Sequence, residues 1–404
     1  MPLLSDIRVL ELASMVSGPF CGRMLAFSGA EVIKIEPPFR GDPSRHSEPF
    51  AEDIPGPDRS LLFQYLNANK ASITLDITTA TGRDLLKALV SESDVLIEDL
   101  EPGVLEGLGV GYDELANLNS RLVMASITPF GQNGRHSRWK AYNLNTTHAG
   151  GSGWITPTGL SRRMYPDRPP LKIGGHVGDY YCGITAATAV MFAILVRNAG
   201  GHGQHIDVSK QEAHLTLERN MVGMYANYGF LETADTQDFP YGGCFPCKDG
   251  YVEILAHEDV HWNSLVRMMG SPPWAMKEEY QLRATRRLHG AEINPGLESW
   301  TRKYTRAHIY RLGRRHGVPV GMFSTPTDVV LSKHERERGF FAKVRGSNAA
   351  GVTRIPSLPY KFSSSSGIPE QRAPTLGEHN LKIYCDRIGL ERRELARLAQ
   401  AEIV

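Results

Sequence analysis

The stretch that decides the fold is residues 171–208, LKIGGHVGDYYCGITAATAVMFAILVRNAGGHGQHIDV. Nearly every residue from 182 to 196 is small or apolar, which predicts a buried core helix shorter than the about 20 residues needed to span a bilayer. Asp179 stands one turn earlier, where a carboxylate can cap a helix by accepting hydrogen bonds from its first backbone N–H groups. The same place could hold an ionised nucleophile, and the glycines around it would let a substrate approach the backbone. The residues alone leave both roles open, and capping is the commoner one.

The composition is that of a soluble globular protein, with 41% hydrophobic and 22% charged residues. A chain of 404 residues predicts two domains, or one domain with a large insertion. The net charge of +1 gives no field that would attract nucleic acid or a membrane, so an anionic ligand needs a local basic patch. The first residues, MPLLSDIRVLEL, lack a signal-peptide pattern and no later segment is expected to span a membrane, which predicts a cytoplasmic protein.

Cysteine use predicts neither disulfides nor a metal centre. Five cysteines are scattered along the chain, which is typical of reduced thiols. Cys244 and Cys247 form a C-x-x-C pattern, but no second pair stands at zinc-binding spacing. We therefore expect no metal site.

Strands and helices alternate through the first third of the chain. Strand patterns at 6–12, 31–36, 72–77, 94–99 and 121–127 are separated by helical patterns at 18–27, 81–90 and 111–118. This alternation predicts an α/β fold with a mostly parallel, doubly wound sheet, in which ligands bind beyond the carboxyl ends of the strands. Ser17 follows the first strand and Arg40 follows the second, and both could meet a phosphate. No G-x-G-x-x-G follows the first strand, which argues against a nicotinamide dinucleotide site.

The rest of the chain carries a long polar loop and a second domain. Lys140, Tyr142 and the arginines at 162, 163 and 168 precede Asp179, and they either form an anion site or cover a solvated surface. A polar linker at 232–241 predicts a domain boundary, and residues 318–324 are expected to return to the first domain. The histidines at 148, 176, 202 and 205 are expected to be structural. Further elements are predicted as helices at 211–228, 259–269, 325–337 and 391–401, helical segments around 300–315 and strands at 205–208 and 251–256.

Ordered motifs along nearly the whole chain resemble the class III CoA-transferases, the CaiB/BaiF family. They are DIRVLELASMVSGPFCGRMLAFSGAEVIKIEPP, LNANKASITLDI, DVLIEDLEPGVLEGLGVGYDEL, GDYYCGITAATAV, GGHGQHIDVSKQEA, FPCKDGYVEIL, HGVPVGMFST and APTLGEHN. The resemblance implies a Rossmann-like large domain built from both chain ends (1–230 and 326–404), a smaller inserted α+β domain (231–325), and two subunits threaded as interlocked rings.

The resemblance also implies the site residues. The nucleophilic aspartate of the family falls on Asp179, and a glycine-rich loop that covers the intermediate falls on Gly242 and Gly243. Ala71 stands where the family commonly has an arginine, so one phosphate contact is missing or moved. Coenzyme A would then be a substrate rather than a tightly bound cofactor, and the residues implied to contact it are Val16, Ser17, Arg40, Asp99, Leu100, Lys140 and Tyr142.

The implied reaction is transfer of CoA from an acyl-CoA to a free carboxylic acid through an aspartyl anhydride and an aspartyl-CoA thioester. The three arginines of the long loop suggest a second carboxylate, and succinyl-CoA as donor. Acyl-CoA racemases of the same family use a His-Asp pair where this chain has Tyr142 and Asn143, which weakens that alternative. An intramolecular transfer and a non-catalytic CoA-binding subunit of a hetero-oligomer remain open. The expected assembly is a homodimer, or a heteromer with a related subunit.

Overall fold

The computed structural model describes residues 2–236, 239–346, 350–363 and 370–404. The chain divides into two compact units. The first unit contains Met1–Gly151, Ile173–Arg219 and His334–Val404, and the second contains Ser152–Lys172 and Asn220–Lys333. The sequence placed the boundaries at 230/231 and 325/326, and gave no sign that residues 152–172 belong to the second unit. Composition marks where a polar linker begins, whereas the division follows long-range packing.

The first unit is built on a parallel sheet of six strands. These are β1 (Arg8–Leu12), β2 (Glu31–Glu36), β3 (Ala71–Thr74), β4 (Val95–Glu98), β5 (Val123–Thr128) and β6 (His205–Ser209). Their order is β3-β2-β1-β4-β5-β6 and every neighbouring pair is parallel. This is the strand order of dinucleotide-binding folds, in which the crevice lies where the order reverses beside the first strand. The predicted α/β fold with a parallel sheet is confirmed.

Helices are distributed over both units. In chain order they are α1 (Ser17–Phe27), α2 (Leu61–Leu66), α3 (Ala80–Ser91), α4 (Val104–Gly107), α5 (Tyr112–Leu118), α6 (Asn143–Ala149), α7 (Gly159–Met164), α8 (Val177–Asn198), α9 (Lys210–Leu217), α10 (Arg219–Tyr228), α11 (Asp259–Met268), α12 (Arg283–Arg286), α13 (Gly290–Thr301), α14 (Arg306–His316), α15 (Pro326–Leu331), α16 (Lys333–Arg338) and α17 (Arg392–Gln400). The helices predicted at 211–228 and 325–337 are each divided in two. Ser332, for example, takes an extended ψ of 133° between α15 and α16, a local change that apolar periodicity does not register.

Both faces of the large sheet are covered, which explains why its strands read as nearly continuous apolar runs. Alternate residues of a strand point to opposite faces. Val9 therefore joins a core shared with α1 and α8, while Leu10 joins a core shared with α3 and α5. The second core also takes residues from the end of the chain, including Tyr384 and Val404.

Helix α8 is longer than its apolar run suggested. It has 22 residues and is long and apolar enough to cross a bilayer by length and composition alone, so the expectation that no segment is long enough to span a bilayer was wrong. The helix begins at Val177, so the glycine-containing residues before Cys182 are already helical. One side packs in the sheet core through Ala186, Val190 and Ala193, as a core helix does.

The second unit has its own core around an antiparallel sheet of β7 (Gly243–Cys247), β8 (Gly250–Ile254) and β9 (Val320–Met322). The buried Trp262 and Leu265 of α11 belong to this core. The expectation that residues 318–324 return to the first domain was wrong, because β9 pairs with β8. A small sheet of β10 (Phe341–Arg345), β11 (Arg354–Pro356) and β12 (Glu370–Gln371) lies in the first unit.

Candidate active site

Asp179 lies in the first turn of α8 and is 6% exposed. Its Oδ1 accepts hydrogen bonds from the Ser17 hydroxyl at 3.2 Å and from Lys210 Nζ at 3.2 Å, and its Oδ2 accepts one from Asn143 Nδ2 at 2.8 Å. The expectation that Asp179 caps the helix was wrong. His176 occupies the N-cap position, and the carboxylate is held by side chains from three other elements. The position in the first turn still places the negative charge at the positive end of the helix dipole.

A close approach of α1 to α8 brings Ser17 to Asp179. Gly183 lies one turn after Asp179, and a Cβ atom added there would be 2.7 Å from the Ser17 carbonyl oxygen. Only glycine therefore allows the two helices to pack at this distance. Ser17 begins α1 directly after the loop that follows β1, so the sheet, α1 and α8 together set the position of the carboxylate.

Three buried polar atoms without a hydrogen-bond partner lie near Asp179. In the described residues, Asn143 Oδ1, Thr147 Oγ1 and His214 Nε2 have no partner. Gly178 brings two of them together, since a Cβ atom there would be 2.7 Å from His214 Nε2 and 3.0 Å from Thr147 Oγ1. Burial lowers the pKa of His214, which favours the neutral imidazole. Unpartnered buried polar atoms are costly, and their grouping at one carboxylate is typical of a functional site.

A cavity of about 710 Å³ opens at the carboxyl ends of β1 to β4. Its walls include Ser14 after β1, Arg40 after β2, Thr78 after β3, and Asp99 with Leu100 after β4. The size lies in the range of small-molecule and cofactor sites. The loop after β1 connects the cavity with the nucleophile candidate, since Ser14 lines the cavity and Ser17 contacts Asp179.

Several residues implied to contact CoA lie at this cavity, and others lie near it or on the surface. Arg40, Asp99 and Leu100 line it, and the Arg40 side chain is exposed. Lys140 is largely exposed, with Nζ 3.5 Å from Oε1 of Glu101, the residue after Leu100. Tyr142 is 82% exposed before α6, whereas Val16 is buried before α1.

The remaining implied residues belong to the second unit. Gly242 and Gly243 stand at the start of β7 and both have positive φ angles, of 86° and 92°, which glycine adopts without strain. Arg162 forms an ion pair with Asp235, with 2.8 Å between Nε and Oδ1. Arg168 stacks over the ring of Tyr165, and Arg163 lies with Arg162 in α7. The arginines therefore belong to a different unit from Asp179.

Two acidic residues at the end of β4 have raised pKa values. Burial raises the pKa of Glu98 to about 7, although its Oε2 accepts the Leu100 N–H at 2.8 Å. Burial likewise raises the pKa of Asp99 to about 6, although its Oδ2 accepts the Ser14 N–H at 2.9 Å. These bonds tie the loops after β1 and β4 to the cavity wall.

Beneath the cavity lies a buried charge network that the sequence prediction missed. Lys34 Nζ is 2.7 Å from Asp42 Oδ2 and 3.0 Å from Glu11 Oε1, and all three side chains are buried. Oδ1 of Asp42 also accepts the Met15 N–H at 3.1 Å, which joins the loop after β1 to the loop after β2. The signal available in the sequence was a charged residue next to apolar ones inside each of two strands, Glu11 in RVLEL and Lys34 in EVIKIE.

The described residues contain no group of three or more His, Cys, Asp or Glu side chains arranged to hold a metal ion. Cys244 and Cys247 are unpaired thiols on β7.

Comparison with known proteins identifies the family of the chain. A family model described as CoA-transferase family III matches residues 4–380. The chain belongs to CoA-transferase family III. It is a CoA-transferase, and the resemblance read from its motifs is confirmed.

Relatives and solved structures match at full length. The chain is 33% identical to a succinyl-CoA–D-citramalate CoA-transferase of Chloroflexus aurantiacus, covering 99% of this chain and 98% of the relative. It is 30% identical to a succinate–glutarate CoA-transferase of Agrobacterium fabrum, covering 97% of each. A crystal structure of a CaiB/BaiF family protein from Brucella suis superposes with a TM-score of 0.83 at 28% identity, covering 96% of this chain and 99% of that one.

Proposed function

We propose that the protein transfers coenzyme A from succinyl-CoA to a free dicarboxylic acid, with Asp179 as the nucleophile. The main observation behind this proposal is the environment of the Asp179 carboxylate. Asp179 is buried in the first turn of a helix, yet its oxygens are held by side chains of Ser17, Asn143 and Lys210. An aspartate that served only as a cap would be bound to backbone N–H groups.

The chemistry balances without a metal or a proton donor. An Asp179 oxygen attacks the thioester carbonyl, the C–S bond breaks, and the electron pair leaves on sulfur as the CoA thiolate. The thiolate then attacks the Asp179 carbonyl carbon of the anhydride, and the donor acid leaves as a carboxylate. An acceptor carboxylate repeats both steps in reverse order and restores Asp179. Backbone N–H groups near Gly178 are available to stabilise the oxyanions, and exclusion of water would protect the anhydride.

The cavity at the sheet edge supports CoA as the ligand. Arg40 is exposed at its wall, and in the described residues no carboxylate lies within ion-pair distance of its side chain. A guanidinium in this position suits a phosphate group. Lys140 stands beside the same wall and its ammonium could exchange Glu101 for a second phosphate.

The nucleophile is tested by incubating the protein with succinyl-CoA alone and searching the Asp179 peptide by mass spectrometry for a CoA thioester. Asp179→Asn keeps a similar shape and can still hydrogen-bond, so we expect it to fold, to form no adduct, and to lose a factor of roughly 10⁴ or more in kcat. Substantial transfer by this variant would refute the assignment. Activity of the purified chain alone would also reject a purely non-catalytic subunit role.

The substrate class is supported by the two relatives reported above, whose names pair succinyl-CoA or succinate with citramalate or glutarate. All of these acids carry two carboxylates. The test is steady-state kinetics with succinyl-CoA, acetyl-CoA and butyryl-CoA as donors. A higher kcat/KM for acetyl-CoA or butyryl-CoA than for succinyl-CoA would refute the proposed substrate class. It would not affect the proposal that Asp179 is the nucleophile.

One observation favours a second candidate, an acyl-CoA racemase or isomerase. His176 Nδ1 lies 3.5 Å from Asp179 Oδ2, so a His-Asp pair exists, although Tyr142, which stands where the racemases have their histidine, has no basic nitrogen. A racemase would exchange the α-hydrogen of its acyl-CoA with solvent. Incubation in D₂O followed by mass spectrometry distinguishes it, because CoA transfer leaves that hydrogen in place.

A homodimer is supported by the surface of α8. Opposite its buried side, the helix exposes a row of apolar side chains that includes Ile184, Phe192 (64% exposed) and Leu195 (67% exposed). A row of this kind on a soluble protein marks an interaction surface, and a second copy of the chain is the partner we propose. Light scattering of the purified protein measures the mass directly. Whether the two subunits are threaded as interlocked rings is tested by determining the structure of the dimer.

A further inference from the structure

Lys210 provides the ammonium group nearest to the carboxylate of Asp179. It is the first residue of α9, directly after β6, and its Nζ lies 3.2 Å from Asp179 Oδ1. Its side chain is 21% exposed. Cys182 of α8 holds the same residue through a hydrogen bond from Sγ to the Lys210 carbonyl oxygen at 3.7 Å. The ammonium therefore stands between the buried site and solvent.

The ion pair exists only while Asp179 carries a charge. Once Asp179 is acylated or bound to CoA as a thioester, the carboxylate is gone and Lys210 loses its counter-ion. Among the described residues, no other carboxylate lies within ion-pair distance of Lys210 Nζ. A largely buried ammonium without a partner is costly, so the covalent intermediate favours binding of an anion at this place.

We propose that Lys210 forms the binding subsite for the reacting carboxylate of the free acid. This inference rests on the proposed function, because it requires that Asp179 become neutral during turnover. The acceptor carboxylate takes the place of the lost charge, which puts its oxygen beside the carbonyl carbon of aspartyl-CoA that it attacks. When the C–S bond breaks, the charge passes to the CoA sulfur. It returns to Asp179 after the thiolate attacks the acceptor carbonyl and the C–O bond to Asp179 breaks.

Nearby buried groups complete the subsite. Asn143 donates from Nδ2 to the second oxygen of Asp179. The Thr147 hydroxyl, which has no partner in the part of the chain that the structure describes, can donate to a carboxylate oxygen. The charge on Lys210 attracts the acid, and the neutral donors orient it.

The test measures binding without turnover. Asp179→Asn removes the charge of Asp179 and so represents the covalent intermediate. We expect acetate and succinate, titrated by calorimetry, to bind D179N roughly 10- to 100-fold more tightly than the wild type, because a charge-assisted hydrogen bond becomes available. The double variant D179N/K210M should lose this gain. D179N/K87M, which removes a lysine from α3 on the other face of the sheet, should keep it.

Equal affinity of both acids for D179N and D179N/K210M, with both variants folded by circular dichroism, overturns the inference. If the methionine variant fails to fold, Lys210→Gln serves in the same comparison, and Lys210→Arg should retain binding. In the otherwise wild-type enzyme, Lys210→Met should raise the KM for the acceptor acid roughly 10- to 100-fold and the KM for acyl-CoA less than about threefold. An unchanged KM for the acid counts against the subsite. The proposed function has a separate test, because absence of the CoA adduct on Asp179 would refute it. The comparison of acid binding does not depend on that adduct.

Discussion

Replacing Glu98 by glutamine is expected to stabilise the protein above neutral pH. Glu98 ends β4, is 3% exposed, and accepts the Leu100 N–H at 2.8 Å through Oε2. Burial raises its pKa from 4.5 to about 7, because the charged form is poorly solvated. Glutamine can accept the same hydrogen bond and never carries the charge.

The sign and size follow from the pKa change. A carboxyl whose pKa is raised on folding contributes stability that is full below its unfolded pKa and is lost as the pH rises through the folded pKa. The difference between 4.5 and about 7 corresponds to about 3 kcal/mol. We therefore expect the unfolding free energy of Glu98→Gln to exceed that of the wild type by up to about 3 kcal/mol at pH 8, and by less than about 1 kcal/mol at pH 5.

The assay is guanidinium unfolding of both proteins at pH 5, 6, 7 and 8, followed by circular dichroism. Glu114→Gln, on the exposed side of α5 in the same unit, is the matched control and should change the unfolding free energy little at any of these values. A stability difference for Glu98→Gln that does not grow between pH 5 and pH 8 would refute the reasoning.

Three further substitutions, one of them with a matched control, test the packing, the cavity and the assembly. Gly183→Ala should cost about 1–3 kcal/mol of stability and lower kcat, because its Cβ would lie 2.7 Å from the Ser17 carbonyl oxygen. Gly107→Ala, where a Cβ meets nothing within 4 Å, should leave both unfolding and turnover nearly unchanged. Arg40→Ala should raise the KM for acyl-CoA roughly 10-fold or more with kcat little changed, and an unchanged KM would remove Arg40 from the CoA site. Leu195→Glu, which places a charge on the exposed face of α8, should shift the particle mass in light scattering from dimer to monomer, and an unaltered dimer would locate the interface elsewhere.

The order of secondary structure could be read from the sequence because it depends on local patterns. The strand predicted at 31–36 is β2 as the structure has it, and the helix predicted at 18–27 begins one residue earlier. Predictions that depended on distant packing were less successful. Residues 318–324 form a strand as their apolar character allows, but the choice of β8 as partner is made by the core around Trp262.

The candidate site shows the same division. Asp179, Ser17 and Arg40 stand in motifs with a recognisable order, and so they were named from the sequence. Lys210, Asn143 and His214 were given no role at Asp179, because no pattern in the sequence places their side chains beside it. Lys210 carried a weak signal, a lysine directly after a predicted strand at the edge where ligands bind.

The sequence by itself determined the α/β class and the family, and it predicted the carboxylate in GDYYCG as the candidate nucleophile. Those properties depend on periodicity and on motif order, which are present in the linear chain. Only the tertiary structure decided how that carboxylate is held. It showed that Asp179 does not cap α8 but meets Ser17, Asn143 and Lys210, and that Gly183 permits the meeting. These contacts depend on the distance between helices and strands that are far apart in sequence, and no local pattern encodes that distance.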